Sequence, residues 1–127
     1  MPNKIPKEKN QKYDLIERTA IFGENVIDFI KTVDKNEITR PLINQIIRSA
    51  TSIGANYMEA DCAESKKDFE HKMGICRKEA KETMHWLRMI AHAINKNQDT
   101  CRLLWKESQE FVFIFSAIIK KSKSAGK

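Results

Sequence analysis

The sequence predicts an all-α fold: an antiparallel up-down-up-down four-helix bundle. Three observations carry this. Apolar residues recur at spacings of three and four through four separate segments. Short polar stretches divide those segments, as in bundles with tight connections. Gly numbers only 4 and Pro only 3, with every Pro before residue 42, so the breakers that a strand-rich chain needs are scarce. A length of 127 residues suits one domain with a core that needs no disulfide or metal. The expected division is a basic N-terminal tail over 1–11, the bundle over 12–121 and a basic C-terminal tail over 122–127.

The first helix is expected from Lys12 to Val33. Leu15, Phe22, Val26, Phe29 and Val33 form its stripe, and Ile16, Ile27 and Ile30 widen it. "DKNE" from Asp34 ends it. The second opens at "ITRP", with Thr39 as cap and Pro41 in the first turn, where a missing N–H costs nothing. Its stripe is Ile46, Ala50, Ile53, Tyr57 and Ala60, and it ends between Asp61 and Glu64. The third opens at "SKKD", where Ser65 and Asp68 resemble a capping box with Asp in place of Glu. Its stripe runs Phe69, Met73, Cys76, Ala80, Thr83, Leu87, Ile90, Ile94 without a slip. "NKNQD" from Asn95 breaks it. The fourth spans Asp99 to Lys121, with Cys101, Leu104, Ser108, Phe111, Phe115 and Ile118 inward. The near-heptad repeat favours shallow, left-handed crossings.

The second helix poses a question of its own. "SATSIGANYM", Ser49 to Met58, holds no charge, although 31% of the chain is charged. Ser49, Ser52 and Asn56 lie one step behind its core stripe, and Thr51, Gly54 and Met58 one step ahead. Gly inside a helix costs roughly 1 kcal/mol against Ala, so a close backbone contact is expected at Gly54. Two covers fit: a neighbouring helix of the same bundle, or a second subunit. On the third helix, with the core stripe at heptad positions a and d, Trp86 falls at g, Met84 at e, and Ile75 and Met89 at c. Trp and Met favour interfaces, and apolar side chains nearly surround this helix. A homo-oligomer is therefore expected, with Ser49, Ser52, Gly54, Asn56, Tyr57, Trp86 and Met89 as its contact face or as helix contacts.

Chemistry has little support. Cys62, Cys76 and Cys101 are odd in number and lack CxxC spacing, which argues against disulfides or zinc and for a reducing cytoplasm. Cys76 and Cys101 lie on core stripes. Glu82 and His85 have the ExxH spacing of di-iron bundles, and Asp68 and His71 are similar, but both pairs sit on one helix and no other helix carries a His. His71, His85 and His92 align at heptad position f, either as a solvated or interface stripe or as a pH-sensitive or anion-binding face. No GxGxxG, Walker loop or GxSxG elbow occurs. No cofactor, metal or catalytic residue is expected, and no apolar run is long enough to span a membrane.

Net charge is +6. Residues 1–12 hold four Lys against one Glu, and residues 116–127 hold four Lys and no acid. The segment between is slightly acidic, so the excess is assigned to the tails rather than to a groove. Arg48, Glu59, Lys66, Lys67, Lys120, Lys121 and Lys123 are the candidates for contact with a partner or nucleic acid. Arg48 with a carboxylate makes an interhelix or an intersubunit pair, unless these residues are ordinary surface charges and caps.

"QIIRSATSIGANYMEADCAESKKDF", Gln45 to Phe69, resembles the core motif of a bacterial four-helix-bundle family encoded by intervening sequences in 23S rRNA genes, often labelled S23. Arg48, Ser49, Ala50, Ser52, Ile53, Asn56, Glu59, Ser65, Lys66 and Phe69 carry the resemblance. Many relatives have Ile-Ala-Glu-Gly where this chain has Tyr57-Met58-Glu59-Ala60, and Pro at Gly54. The resemblance implies barrel-like pentamers. It extends distantly to the accessory variability protein of diversity-generating retroelements, which binds nucleic acid. The expected function is a non-enzymatic homo-oligomer, a pentamer by resemblance, that binds RNA, DNA or an RNA-handling partner. The alternative is a structural or protein-interaction scaffold without nucleic-acid affinity, favoured by the shortage of exposed aromatics for base stacking.

Overall fold

The computed structural model describes residues 14–125. Four helices account for nearly all of them: α1 (Leu15–Lys31), α2 (Thr39–Asp61), α3 (Lys66–Ala93) and α4 (Gln98–Ala125). Each packs on its chain neighbours, and α1 closes more loosely onto α4. Cross-helix pairs run in opposite order along α2 and α3: Ser49 meets Thr83, Ile53 meets Cys76, and Glu59 meets Lys72. Along α3 and α4, Leu87 meets Cys101 and Ala80 meets Ser108. Gly23 faces Ala50 and Thr51, while Gly54 faces Thr19. Neighbouring helices are therefore antiparallel, as expected.

The helix ends follow local chemistry. Asp14 caps α1 by accepting from the Glu17 N–H at 3.1 Å. Ser65 caps α3 by accepting from the Asp68 N–H at 3.0 Å, as the sequence predicts. Thr39 does not cap α2. Asn36 takes that role: its Oδ1 accepts from the N–H groups of Ile38 and Thr39 at 2.8 and 2.9 Å. Thr39 Oγ1 in turn accepts from the Asn36 N–H at 3.0 Å, which completes a reciprocal box, and its hydroxyl donates to the Asp34 carbonyl. Thr39 is buried where a cap would be wet. Asn97 adopts φ 61°, a left-handed conformation that Asn tolerates, and its side chain donates to Thr32 Oγ1 at 3.0 Å. That bond ties the α3–α4 turn to the end of α1.

The core is the predicted set of stripes with few changes. Phe22, Val26, Ile46, Ala50, Ile53, Met73, Ala80, Leu87, Ile90, Phe111 and Phe115 are buried. Phe22 meets Phe111 edge-on at 5.4 Å, and Phe111 stacks on Phe115 at 5.6 Å. Ile119 rather than Ile118 fills the last core position of α4, because a straight helix drifts ahead of a strict heptad. Ile16 and Ile27 do not widen the core; both are exposed on the outer side of α1, whereas Ile30 is buried. Residues 1–11 of the expected tail lie outside the described residues. The segment assigned to the C-terminal tail is helical through Ala125.

Candidate functional site

The uncharged run is covered mostly from within. Ser49 is buried in the α2–α3 seam, where Thr83 Oγ1 lies 2.9 Å from its Oγ. Gly54 sits against α1: a Cβ there would lie 3.3 Å from Thr19 Oγ1. Asn56 bonds back to the Ser52 carbonyl at 2.9 Å. Tyr57 is half-buried and stacks on Phe115 at 6.3 Å; burial, followed by Asp61, raises its pKa. Ser52 is half-buried on the same flank.

What remains outside is an open apolar groove between α1 and α2, of about 270 Å³. Ile16, Ala20, Ile27, Ala55 and Met58 line its rims, and Gly23 and Gly54 form part of its floor. Met58 is 56% exposed and Ile16 41%. A second apolar surface lies where α2 begins and α3 ends, formed by Ile38, Leu42, Met89 and Ala93. Ile38 there is 66% exposed. Trp86 packs partly on the core, with its indole N–H buried and without a hydrogen-bond acceptor.

Arg48 is an interhelix clamp. Its guanidinium reaches Glu79 at 3.1 Å, pairs with Glu82, and donates to Gln45 at 3.2 Å. The Glu82 bond is the largest cause of the raised Arg48 pKa. Glu82 is therefore engaged away from His85, whose ring meets Trp86 edge-on at 4.8 Å. No cluster of three His, Cys, Asp or Glu suited to a metal occurs among the described residues. Burial pushes the Cys76 thiol up to about 12 and the Cys101 thiol up to about 11. Both donate to core carbonyls, of Ile53 and Leu87 respectively. They are core fillers, with Cys62 exposed.

The proposed contact lysines gather at one end of the bundle but do not make a basic surface. Lys66 and Lys67 open α3, and Lys120, Lys121 and Lys123 close α4, all exposed. Glu59, Asp61, Glu64, Asp68 and Glu70 share that end. Glu59 is taken by Lys72, and Glu70 accepts from Ser122 at 2.6 Å.

The near-neutral middle of the chain conceals a separation by face: the net excess still falls in the end segments, while the charges within the bundle are sorted between seams. From Arg77 onward, the acids of α3, Glu79 and Glu82, lie at heptad positions g and c, toward α2 and Arg48. On α4, Glu107 turns toward α1, where it holds Arg18 in a bidentate pair at 2.8 and 2.9 Å. The cations Arg77, Lys81, Arg88 and Arg102 occupy positions b and e, flanking the α3–α4 seam, and Lys106 lies at f on the outer face. The sequence reading missed them because a net charge averages over faces. Sorting acids and bases separately by heptad position reveals the pattern.

No helix among the described residues is long and apolar enough to cross a membrane. No curated protein matches the chain. A crystal structure of a protein of unknown function from the S23 ribosomal protein family of Bacteroides thetaiotaomicron is similar, with 28% identity and a TM-score of 0.74 over 86% of this chain and 97% of that one. The 23S rRNA-intervening sequence protein family model matches residues 11–117, which takes in all of α1, α2 and α3 and most of α4. The bundle, its core stripes and the Arg48-to-Phe69 motif thus have one common explanation: the chain belongs to the 23S rRNA-intervening sequence protein family.

Proposed function

We propose that the protein is a non-enzymatic, homo-oligomeric bundle of the bacterial cytoplasm that binds nucleic acid, RNA or DNA. The separation of charge by seam carries the nucleic-acid part. Carboxylates neutralise Arg18 and Arg48 across the α1–α4 and α2–α3 seams, while the α3–α4 seam keeps its cations for an anionic partner. Self-association is supported by the uncovered apolar rims beside α2, with Ile16, Met58 and Ile38 exposed. A pentamer, expected from the resemblance, would present five copies of the basic face and act by avidity.

The test is binding of the full chain to structured RNA and duplex DNA across a salt titration, alongside light scattering for mass. A steep salt slope with a mass of several chains supports the proposal. Flat, weak binding at low salt removes the nucleic-acid part and leaves a scaffold that recognises proteins. Met58→Glu places a charge on the apolar rim and is expected to lower the mass without lowering helicity. An unchanged mass would place self-association elsewhere.

A further inference from the structure

The α3–α4 seam carries more than charge. Toward the turn between these helices lies an open cleft of about 380 Å³, lined by Leu87, Arg88, Ala91, Gln98, Arg102 and Trp105. Leu87 and Cys101 form its buried floor, and Trp105 is a half-buried wall. Arg88 and Arg102 stand exposed on opposite rims. Farther along, Lys81 and Arg77 continue the α3 rim at heptad positions b and e. On α4, Lys106 and Phe113 lie at position f on the outer face, and Phe113 is 60% exposed.

Among the described residues, Arg77, Lys81, Arg88 and Lys106 have no carboxylate within ion-pair distance. Arg77 donates only to Ser116 Oγ, at 3.5 Å. Arg102 has Asp99, but that pair is exposed and three residues apart on one helix, a type worth little. A folded protein that merely needed solubility would intersperse the two signs. Here one sign flanks the seam over about 21 Å from Arg77 to Ala91, with the cleft and its aromatic wall at the turn end.

We propose that this groove is a binding site for single-stranded nucleic acid, with a base stacked on Trp105 and phosphates held by Arg88 and Arg102. The site rests on the nucleic-acid reading above and gives it a place and a ligand form. Arg guanidinium planes and indole both stack on bases, and the forked N–H groups of Arg suit phosphate oxygens. An acidic peptide would satisfy the cations but would leave Trp105 without a matching partner. A duplex keeps its bases stacked on one another, so it would use the rims and not the wall.

The experiment uses the full chain and fluorescein-labelled oligouridylate and oligothymidylate of about twelve nucleotides, with a duplex of equal length and polyglutamate as competitors. Single strands are expected to bind tighter than duplex and to quench tryptophan emission. Trp86→Phe should keep the quench and Trp105→Phe should lose it. Arg88→Gln with Arg102→Gln, both at exposed positions, should weaken binding about tenfold and lower the salt slope by about 1.4, with the melting temperature unchanged. Deleting residues 1–12 should leave the quench intact. Binding that survives the double Arg variant but vanishes with the tail deletion overturns this site while sparing nucleic-acid binding as such. No binding of any oligonucleotide overturns both. Equal affinity for duplex rejects the single-strand assignment, and displacement by polyglutamate at equal charge concentration rejects the nucleic-acid assignment. Preference between the uridylate and thymidylate arms tells RNA from DNA.

Discussion

Thr19 Oγ1 lies 3.3 Å from the point where a Cβ on Gly54 would stand. The same hydroxyl donates to the Leu15 carbonyl at 2.7 Å and lies 3.2 Å from that of Ile16, so it is held in place and cannot easily retreat. Gly54 therefore serves a close approach of α1 and α2 within one chain. Gly54→Ala gains up to about 1 kcal/mol of helix propensity and loses a similar amount to the tight contact, so its melting temperature should stay near wild type. Gly54→Leu should cost about 1–3 kcal/mol by overpacking. Thermal unfolding followed by circular dichroism checks both. A Leu variant as stable as wild type would mean that the seam opens without cost.

Ser49 and Thr83 form a buried polar pair in the α2–α3 seam. Thr83 Oγ1 shares its one proton between Ser49 Oγ at 2.9 Å and the Glu79 carbonyl at 2.8 Å. Thr83→Val leaves the Ser49 hydroxyl with only the Ile46 carbonyl at 3.4 Å and should cost about 1–3 kcal/mol. Ser49→Ala with Thr83→Val should cost less than the sum of the single changes, because neither polar group is then stranded. Urea unfolding of the four proteins gives that coupling directly; strict additivity would show that the two hydroxyls do not interact.

Arg48 is half-exposed, but the Glu79 side chain that it meets is 9% exposed. Arg48→Met strands Glu79 and should destabilise the bundle by about 1–2 kcal/mol, a range between a surface pair and a buried one. Glu82→Gln, at the wetter partner, should cost less. The Arg48→Met loss should shrink when urea melts are repeated at high salt, since screening weakens the pair in the parent. An Arg48→Met protein as stable as the parent would reduce the clamp to surface decoration.

Cys76 and Cys101 have thiols pushed up from 9.0, to about 12 and about 11 respectively, by burial. In the folded chain both stay protonated at pH 8, so a thiol reagent should label Cys62 alone at first and all three cysteines after denaturation. The sign for stability follows. The folded state holds its thiol protons above the pH at which the unfolded chain releases them. That stabilisation is complete below pH 9 and is lost as pH rises through the folded values. The melting temperature should therefore fall across this alkaline range, and Cys76→Ser or Cys101→Ala should flatten the fall. Fast labelling of two thiols in the native protein would contradict the burial.

Much of the architecture was legible in the residues because the information is periodic. The stripe from Met73 to Ile90 reads directly off spacing, and every member of it is buried. Ser65 announces its cap by residue type. The cap of α2 was misplaced because Asn36 and Thr39 are both good capping residues three apart, and only the path of the chain decides which one faces the orphan N–H groups. The small-residue run was recognised as a contact, but its partner was not legible, since a small side chain admits a neighbouring helix and a second subunit equally well.

By itself, then, the sequence determined four amphipathic helices, their inward faces and their family, since each follows from the order of residues along one helix. Tertiary structure decided which seams the charges face. Glu79 and Glu82 turn to Arg48, Glu107 turns to Arg18, and Arg88 and Arg102 are left around Trp105. The physical reason is that the effect of a charge depends on distance through the folded chain, and residues far apart in sequence come close only once the helices pack.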